Sequence, residues 1–192
     1  VPVVVSNVMI YADVTATNRT RLKLVDKELL KKLVRKATFA EREGEFDTAL
    51  DAYEEIMRLQ PCARAYGNRA FIYMRAGDPT NAVEDFTAGL NWSPGNEWLL
   101  MGLGEGYEYM GNASNAVEVY NRVIEMRPQN ANAYRRRARA RMMSASDTNA
   151  VMRDLHLCLE NADNIADARY QGARSMYRMG LLKESGDEIR MA

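Results

Sequence analysis

Apolar and small side chains recur at three- and four-residue steps through the middle of the chain. Tyr66, Ala70 and Tyr73 fall on one stripe of a first predicted helix, and Ala82 and Phe86 share a face of a second. The small residues let two helix axes approach closely, and the aromatic rings fill the space around them. The pattern therefore predicts two packed helices joined by a turn.

Glycine and proline mark the ends of these helices. Gly77 follows the first helix, where a residue without Cβ readily adopts the left-handed conformation of a turn. Pro94 stops the second helix. Positions that recur every 33 or 34 residues are Gly44, Gly77 and Gly111; Ala49, Ala82, Ala116 and Ala150; Tyr53, Phe86 and Tyr120; and Pro61, Pro94 and Pro128. This period predicts an array of helix-turn-helix repeats.

Composition limits the classes of partner. The 192 residues are 47% hydrophobic, which is enough for a buried core. The 26 basic and 26 acidic residues cancel, so we expect no nucleic-acid partner, and any electrostatic preference must be local. Cys62 and Cys158 lack the spacing of a disulfide framework or a zinc site. We therefore expect no metal and no cofactor, and the two thiols favour a cytoplasmic location.

Residues 1–29 do not carry the repeat. They begin with VPVVVSNVMIYADV, an apolar run that is too short to span a bilayer and lacks the flanks of a secretory signal. Its β-branched residues suit an extended arm or a short strand. We interpret this segment as an N-terminal extension or linker without direct membrane insertion. The missing initial Met is consistent with an excised domain or with removal of an upstream signal or anchor.

The recurring residues resemble the tetratricopeptide repeat family, whose pattern has an aromatic residue at position 4, small residues at 8 and 20, an aromatic at 24 and proline at 32. Residues 63–94 match nearly throughout. The resemblance implies an all-α fold, a right-handed superhelical solenoid whose first helices line a concave surface. The predicted array covers residues 30–192, with units 30–61, 63–94, 97–128, 131–162 and a degenerate fifth unit, 166–192.

The fourth unit departs from the pattern. Its positions 11 and 24, which face each other within a repeat, are Arg141 and Asp154 where other units have aromatic residues. We predict that they form a partly buried ion pair. The alternative is a one-residue shift in the turn MSASDTN, which places Leu155 at the packing position and Asp154 in solvent.

The resemblance also implies which residues line the peptide-binding groove. They supply aromatic, methionine and arginine side chains, which provide contact area and charge-assisted hydrogen bonds to a bound polypeptide. The predicted partner-binding residues are Arg64, Asn68, Phe71, Arg75, Trp98, Met101, Glu105, Arg135, Arg136, Arg139, Tyr170 and Arg174.

Five arginines in the segment RRRARAR suggest the chemistry of the partner. Arg135 and Arg139 share one helix face, and we expect Arg174 to stand opposite, from the next first helix. Because guanidinium groups bind carboxylates bidentately, we interpret these residues as a clamp for an acidic segment or a C-terminal carboxylate. The alternative is a solvated face paired with nearby acids.

The five-residue carboxylate clamp of chaperone-binding family members is not reproduced. Asn68 matches its middle asparagine, but Val34, Thr38, Trp98 and Gly102 replace the other four residues. Binding of chaperone tails by that mode is therefore disfavoured. We expect Asn68 instead to anchor the backbone of an extended peptide.

The sequence carries no recognisable catalytic signal. His156 falls in an outer helix, and the segment GLGEGY lacks both the last glycine of a dinucleotide fingerprint and a preceding strand. Glu105 and Glu108 lie one turn apart on what we expect to be a solvated groove. We therefore predict a non-enzymatic scaffold or adaptor that binds a peptide of another protein. Two alternatives are a targeting or regulatory module of a larger enzyme, and a homo-oligomer assembled through the fifth unit.

Overall fold

The computed structural model describes residues 3–5, 8–11, 23–144, 148–162 and 170. From residue 27 onward these residues form eight α-helices joined by short turns. The first helices of the pairs are α1 (Lys27–Glu43), α3 (Ala63–Ala76), α5 (Glu97–Tyr109) and α7 (Ala131–Met143). The second helices are α2 (Phe46–Leu59), α4 (Pro79–Trp92), α6 (Ala113–Met126) and α8 (Thr148–Glu160). This confirms the predicted all-α array of helix-turn-helix pairs.

The chain divides into two compact units, an N-terminal unit, Val1–Pro94, and a C-terminal unit, Gly95–Ala192. Each contains two of the helix pairs. The fifth predicted repeat lies outside the described residues except for Tyr170, so that repeat and its role in self-assembly stay predictions. Among the described residues, no helix combines the length and apolar character that crossing a bilayer requires.

A small antiparallel sheet precedes the helices. Its strands are β1 (Val3–Val5), β2 (Val8–Tyr11) and β3 (Lys23–Asp26), paired in the order β1-β2-β3. The sequence predicts an extended arm or one short strand here, because a single β-rich run does not reveal its pairing partners. The first helix begins at Lys27, three residues before the predicted start of the array.

Side-chain caps and left-handed glycines fix the helix ends. The N-cap side chains of Asp78, Asn96, Asn112 and Asn130 each accept a hydrogen bond from the backbone N–H three residues on. Gly77 has φ of 82°, as predicted, and a Cβ added there would meet nothing within 4 Å. The turn therefore requires glycine for its backbone conformation and not for lack of space.

The predicted small residues lie where the helices cross. In the N-terminal unit Ala70 and Ala82 are both fully buried, and the Phe86 ring is buried beside them. Tyr66 and Tyr73 are only half-buried, while Ile72 is 1% exposed. The small residues thus set the close approach of α3 and α4 beside Phe86, whereas Ile72 packs against buried residues of α1 and α2.

The predicted ion pair between Arg141 and Asp154 is confirmed. Nη1 of Arg141 donates to Oδ2 of Asp154 at 2.6 Å, and the Asp154 side chain is 1% exposed. Asp154 also accepts a two-pronged hydrogen bond from Arg137, through Nε at 2.9 Å and Nη2 at 2.5 Å. Two arginines of α7 therefore bind one buried carboxylate of α8. The sequence predicts only one of these two arginines, Arg141.

The register of α8 corrects the predicted repeat. Leu155, not Asp154, packs against Ala138, and Val151 lies beside them in place of the predicted Ala150, which is only half-buried. Arg137 and Asp154 are 17 residues apart, whereas Arg69 and Asp85, the corresponding pair of α3 and α4, are 16 residues apart. The turn before α8 therefore contains one additional residue, and assigning Ala150 to the repeat was wrong.

This extra residue explains why both alternatives for the fourth unit occur together. Asp154 lies one position before the packing site, which is where Asp85 lies in α4, paired with Arg69. A shift by one residue consequently places Leu155 in the apolar core without moving Asp154 into solvent. The two outcomes exclude each other only when the packing position is considered alone.

Candidate functional site

A face built by α5 and α7 in the C-terminal unit collects predicted partner-binding residues. We define the α5–α7 face by Glu105, Glu108, Arg135, Arg136 and Arg139. Nη2 of Arg136 donates to Oε2 of Glu105 at 3.0 Å, and its Nη1 lies 3.8 Å from Oε2 of Glu108. Nε of Arg139 lies 3.1 Å from the same Glu108 oxygen. Two acids of α5 therefore neutralise two arginines of α7.

Glu108 is buried, which corrects the prediction of a solvated groove position. Its side chain is 1% exposed, and Oε1 accepts a hydrogen bond from the Tyr120 hydroxyl of α6 at 2.7 Å. Oε2 has no hydrogen-bond partner among the described residues, and neither does the buried Nε of Arg136. Burial raises the pKa of Glu108, and the opposing effects of Tyr120, Arg139 and Arg136 are smaller. This carboxylate holds α5, α6 and α7 together at an electrostatic cost.

Replacing Glu108 with glutamine is expected to flatten the dependence of stability on pH. A carboxyl group with a raised pKa binds more protons in the folded than in the unfolded chain. Its contribution to the free energy of unfolding therefore falls as the pH rises from its ordinary pKa of 4.5 towards the higher folded value. The wild-type protein should lose stability across this window relative to E108Q, as measured by urea unfolding at successive pH values.

The control for this pH series is Glu118→Gln, at an exposed position of α6. Its curve should run parallel to that of the wild type. Parallel curves for wild type and E108Q would contradict the raised pKa, whatever the difference in their mean stability, because the readout is the slope.

Arg135 differs from the other four arginines of its segment. Within the part of the chain that the structure describes, its side chain donates to a neutral amide, from Nη2 to Oδ1 of Asn132 at 2.6 Å. Burial, followed by repulsion from Arg136, lowers the pKa of Arg135. The other four arginines of the segment are therefore paired with acids, as the alternative interpretation predicts. Among the described residues, Arg135 is not.

Arg139 and Arg174 complete the predicted clamp. The Arg139 side chain is 51% exposed, although its Nε lies near Glu108. Arg174 lies outside the described residues. The clamp therefore stays a prediction, and its described part consists of a half-buried Arg135 and a half-exposed Arg139.

The remaining predicted residues of α5 differ in exposure. Trp98 is 41% exposed. Met101 is half-buried and packs on the cluster of Ala116, Tyr120 and Ala140. Tyr170, further along the chain, is 63% exposed. Trp98 and Tyr170 are thus accessible at the surface, whereas Met101 supports the core.

In the N-terminal unit, Arg64 is exposed at the start of α3 and Asn68 is half-buried one turn later. Burial raises the pKa of the Tyr53 hydroxyl of α2, and the nearby Asn68 side chain opposes this effect. The role of Asn68 as an anchor for the backbone of a bound peptide stays a prediction.

Phe71 and Arg75 also take part in internal contacts of this unit. The Phe71 ring meets Phe86 edge-on, with centroids 5.0 Å apart and planes at 81°. Nη1 of Arg75 donates to Oε1 of Glu41 at 2.8 Å, and its guanidinium lies 5.4 Å from the centroid of Phe46. The predicted residues of α3 therefore contribute to packing as well as to surface.

Two functional-site features were missed by the sequence analysis. The burial of Glu108 depends on the distance between helices, which residue spacing does not give. The Arg137–Asp154 pair had a signal, because Arg69 and Asp85 occur at nearly the same spacing in the second repeat. The described residues contain no group of three or more His, Cys, Asp or Glu side chains placed to hold a metal ion.

Consecutive helix-turn-helix pairs with left-handed glycines between helices and small residues at the crossings define a helical repeat protein. Residues 34–96 and residues 73–141 each match the tetratricopeptide repeat family. The chain belongs to this family, whose members are generally non-catalytic modules of protein interaction.

Individual relatives are distant. The chain is 24% identical to mouse (Mus musculus) sperm-associated antigen 1 over 145 residues, which are 76% of this chain and 14% of that protein. It spans less than two thirds of the length of the curated relatives it matches. The structure of MamA 41-end from Desulfovibrio magneticus RS-1 is similar with a TM-score of 0.71 and 15% identity, covering 85% of this chain and 93% of that one.

A second similar structure contains a peptide. It is the first tetratricopeptide domain of Spaghetti (RPAP3) bound to the HSP90 peptide SRMEEVD, with a TM-score of 0.58 and 24% identity. The likeness covers 64% of this chain and 98% of that one. At these identities both structures establish the fold of this chain and nothing about its own partner.

Proposed function

We propose that this protein is a non-enzymatic scaffold that binds a peptide segment of another protein, and that the α5–α7 face contacts an acidic group of that segment. The acidic group is a side-chain carboxylate or a C-terminal carboxylate. Arg135 is the central contact of this proposal, and Arg139 is a second contact shared with Glu108.

The observation that carries the proposal is the charge environment of Arg135. Its guanidinium is half-buried, it lies near Arg136, and its described hydrogen-bond acceptor is the neutral Asn132. A cation that is partly desolvated without an acid partner is destabilised, and an incoming carboxylate would supply the missing charge. The other arginines of the segment have acids within ion-pair distance, so they contribute less to the gain on binding.

The two helices of the α5–α7 face also carry apolar side chains that suit a polypeptide. Trp98 on α5 is 41% exposed, and Met142 of α7 is half-buried, where it packs on Ala138, Val151 and Leu155. Aromatic and methionine side chains provide adaptable apolar contact around a charged anchor. The bound HSP90 peptide SRMEEVD in a similar fold, which ends in acidic and apolar residues, supports this class of ligand for the present chain.

The experiment is a fluorescence titration with synthetic peptides rich in Asp and Glu, prepared with free and with amidated C termini. Arg135→Glu is expected to weaken binding by about tenfold or more, because a charge-assisted hydrogen bond contributes about 1.5–3 kcal/mol. Arg122→Glu, an equal charge change at an exposed position of α6, is the matched control and should bind like the wild type.

Equal affinities of wild type and R135E for every peptide would refute the proposed contact. If amidation alone abolishes binding, the ligand group is the C-terminal carboxylate. If both forms bind alike and R135E weakens both, the ligand is an acidic side chain. A targeting or regulatory module within a larger enzyme remains an alternative context for the same binding activity.

A further inference from the structure

A row of exposed cations follows α1 in the N-terminal unit. Lys32, Arg35, Phe39 and Arg42 recur at steps of three or four residues, so they form one stripe along the helix, which we call the α1 stripe. All four residues are exposed, and Phe39 is 65% exposed. The stripe extends about 15 Å at 1.5 Å per residue. An aromatic ring of this exposure between cations is not explained by the fold.

The stripe lies on the outer side of its helix. Ala37 and Ala40, which are buried against α2, lie on the opposite side of the helical wheel. Glu41, which pairs with Arg75 of α3, also points away from the stripe. The α1 stripe is therefore an exposed ridge that faces neither α2 nor α3 of its unit.

The charges of this ridge are not balanced locally. Among the described residues none of its three cations has an ion pair, in contrast to Lys31, which is paired with Glu28. Glu28, which is paired with Lys31, and Glu43 are the acids adjacent to the ridge on the same helix. The ridge therefore has three cations without an ion pair among the described residues, and one of its two neighbouring acids is already paired.

We propose that the α1 stripe is a docking surface for an anionic lipid membrane. Cations near such a surface are attracted by its negative potential, and an exposed phenylalanine between them can enter the headgroup region. The four exposed side chains follow one helix surface, which suits a planar membrane better than a polypeptide, because peptides usually bind in concave grooves or along open sheet edges. This contact is peripheral, which agrees with the expectation of no direct membrane insertion.

The test is cosedimentation of the whole chain with vesicles of phosphatidylcholine, with and without about 30% phosphatidylserine. We expect binding to the anionic vesicles only, and a decrease as ionic strength rises. The double variant K32E/R35E should lower the partition coefficient by about 25-fold or more, since each cation contributes about fivefold. Phe39→Ser should cause a smaller, several-fold loss that persists at high salt.

The matched control is R122E/R153E, which makes the same change in net charge at exposed positions of α6 and α8. It should retain vesicle binding, and all variants should unfold like the wild type. Absence of binding to anionic vesicles, or equal losses in the two double variants, would overturn the proposal. Stripe-dependent binding of polyglutamate without binding of the vesicles would also overturn it and assign the ridge to an acidic polypeptide.

Discussion

Replacement of Asp154 by alanine is expected to lower the free energy of unfolding by about 3–5 kcal/mol. The Asp154 carboxylate is 1% exposed and accepts hydrogen bonds from both Arg137 and Arg141, whose side chains are 14% and 22% exposed. Removing it leaves two mostly buried guanidinium groups without their acid. The remaining acceptors, Oδ1 of Asn121 and the carbonyl of Ala150, are neutral and cannot replace the charge.

Urea unfolding of graded variants tests this expectation. Asp85→Ala removes a carboxylate that pairs with one arginine, Arg69, so its loss should be smaller than that of D154A. Asp47→Ala, at an exposed position of α2, should have little effect. A loss for D154A no larger than that for D47A would show that the ion network contributes little to stability.

The sequence predicted the helices well because their ends carry local signals. Glycines mark the turn between the two helices of a pair, and small residues mark where those helices cross. Both signals lie within a few residues of the feature they predict, so each helix pair could be located from residue spacing alone. The error at Ala150 has a different origin. A constant period cannot reveal one additional residue in a turn, and only the pairing of Arg137 with Asp154 exposes the shift of α8.

The candidate site was predictable in its residue types and not in its charge balance. The arginines of α7 were correctly found on the first helix of the fourth repeat, but Glu105 and Glu108 come from the preceding repeat. Whether acids 28 or 31 residues away neutralise these arginines depends on how closely α5 and α7 approach. Glu108 reaches these arginines from a helix that packs on α6 through a glycine, and the sequence identifies this glycine only as a small residue of the family pattern.

The glycine in question, Gly104, has a steric reason for its small size. A Cβ built on Gly104 would lie 2.5 Å from Cε1 and 2.6 Å from Cζ of the Tyr120 ring, closer than real Cβ contacts occur. Tyr120 is fully buried, and its hydroxyl is held by Glu108, so the ring has little freedom to move. The tyrosine of α6 therefore occupies the space that a side chain at position 104 would need.

Tyr120→Ala is consequently expected to cost about 3–5 kcal/mol of stability, because it creates a cavity and removes the hydroxyl that donates to Glu108. Gly104→Ala in the wild type should cost about 1–3 kcal/mol through overpacking. In the Y120A background the same G104A change should instead stabilise by about 1 kcal/mol, since alanine favours a helix over glycine and the ring is gone.

Chemical unfolding of wild type, both single variants and the double variant measures this reversal of sign. Gly95→Ala is the control, because a Cβ there would lie 3.4 Å from the flexible end of Met126 and should change stability little. If G104A destabilised both backgrounds equally, the glycine would be required for some reason other than the tyrosine ring. A reversal would show that one contact between α5 and α6 sets the geometry from which Glu108 reaches the arginines of α7.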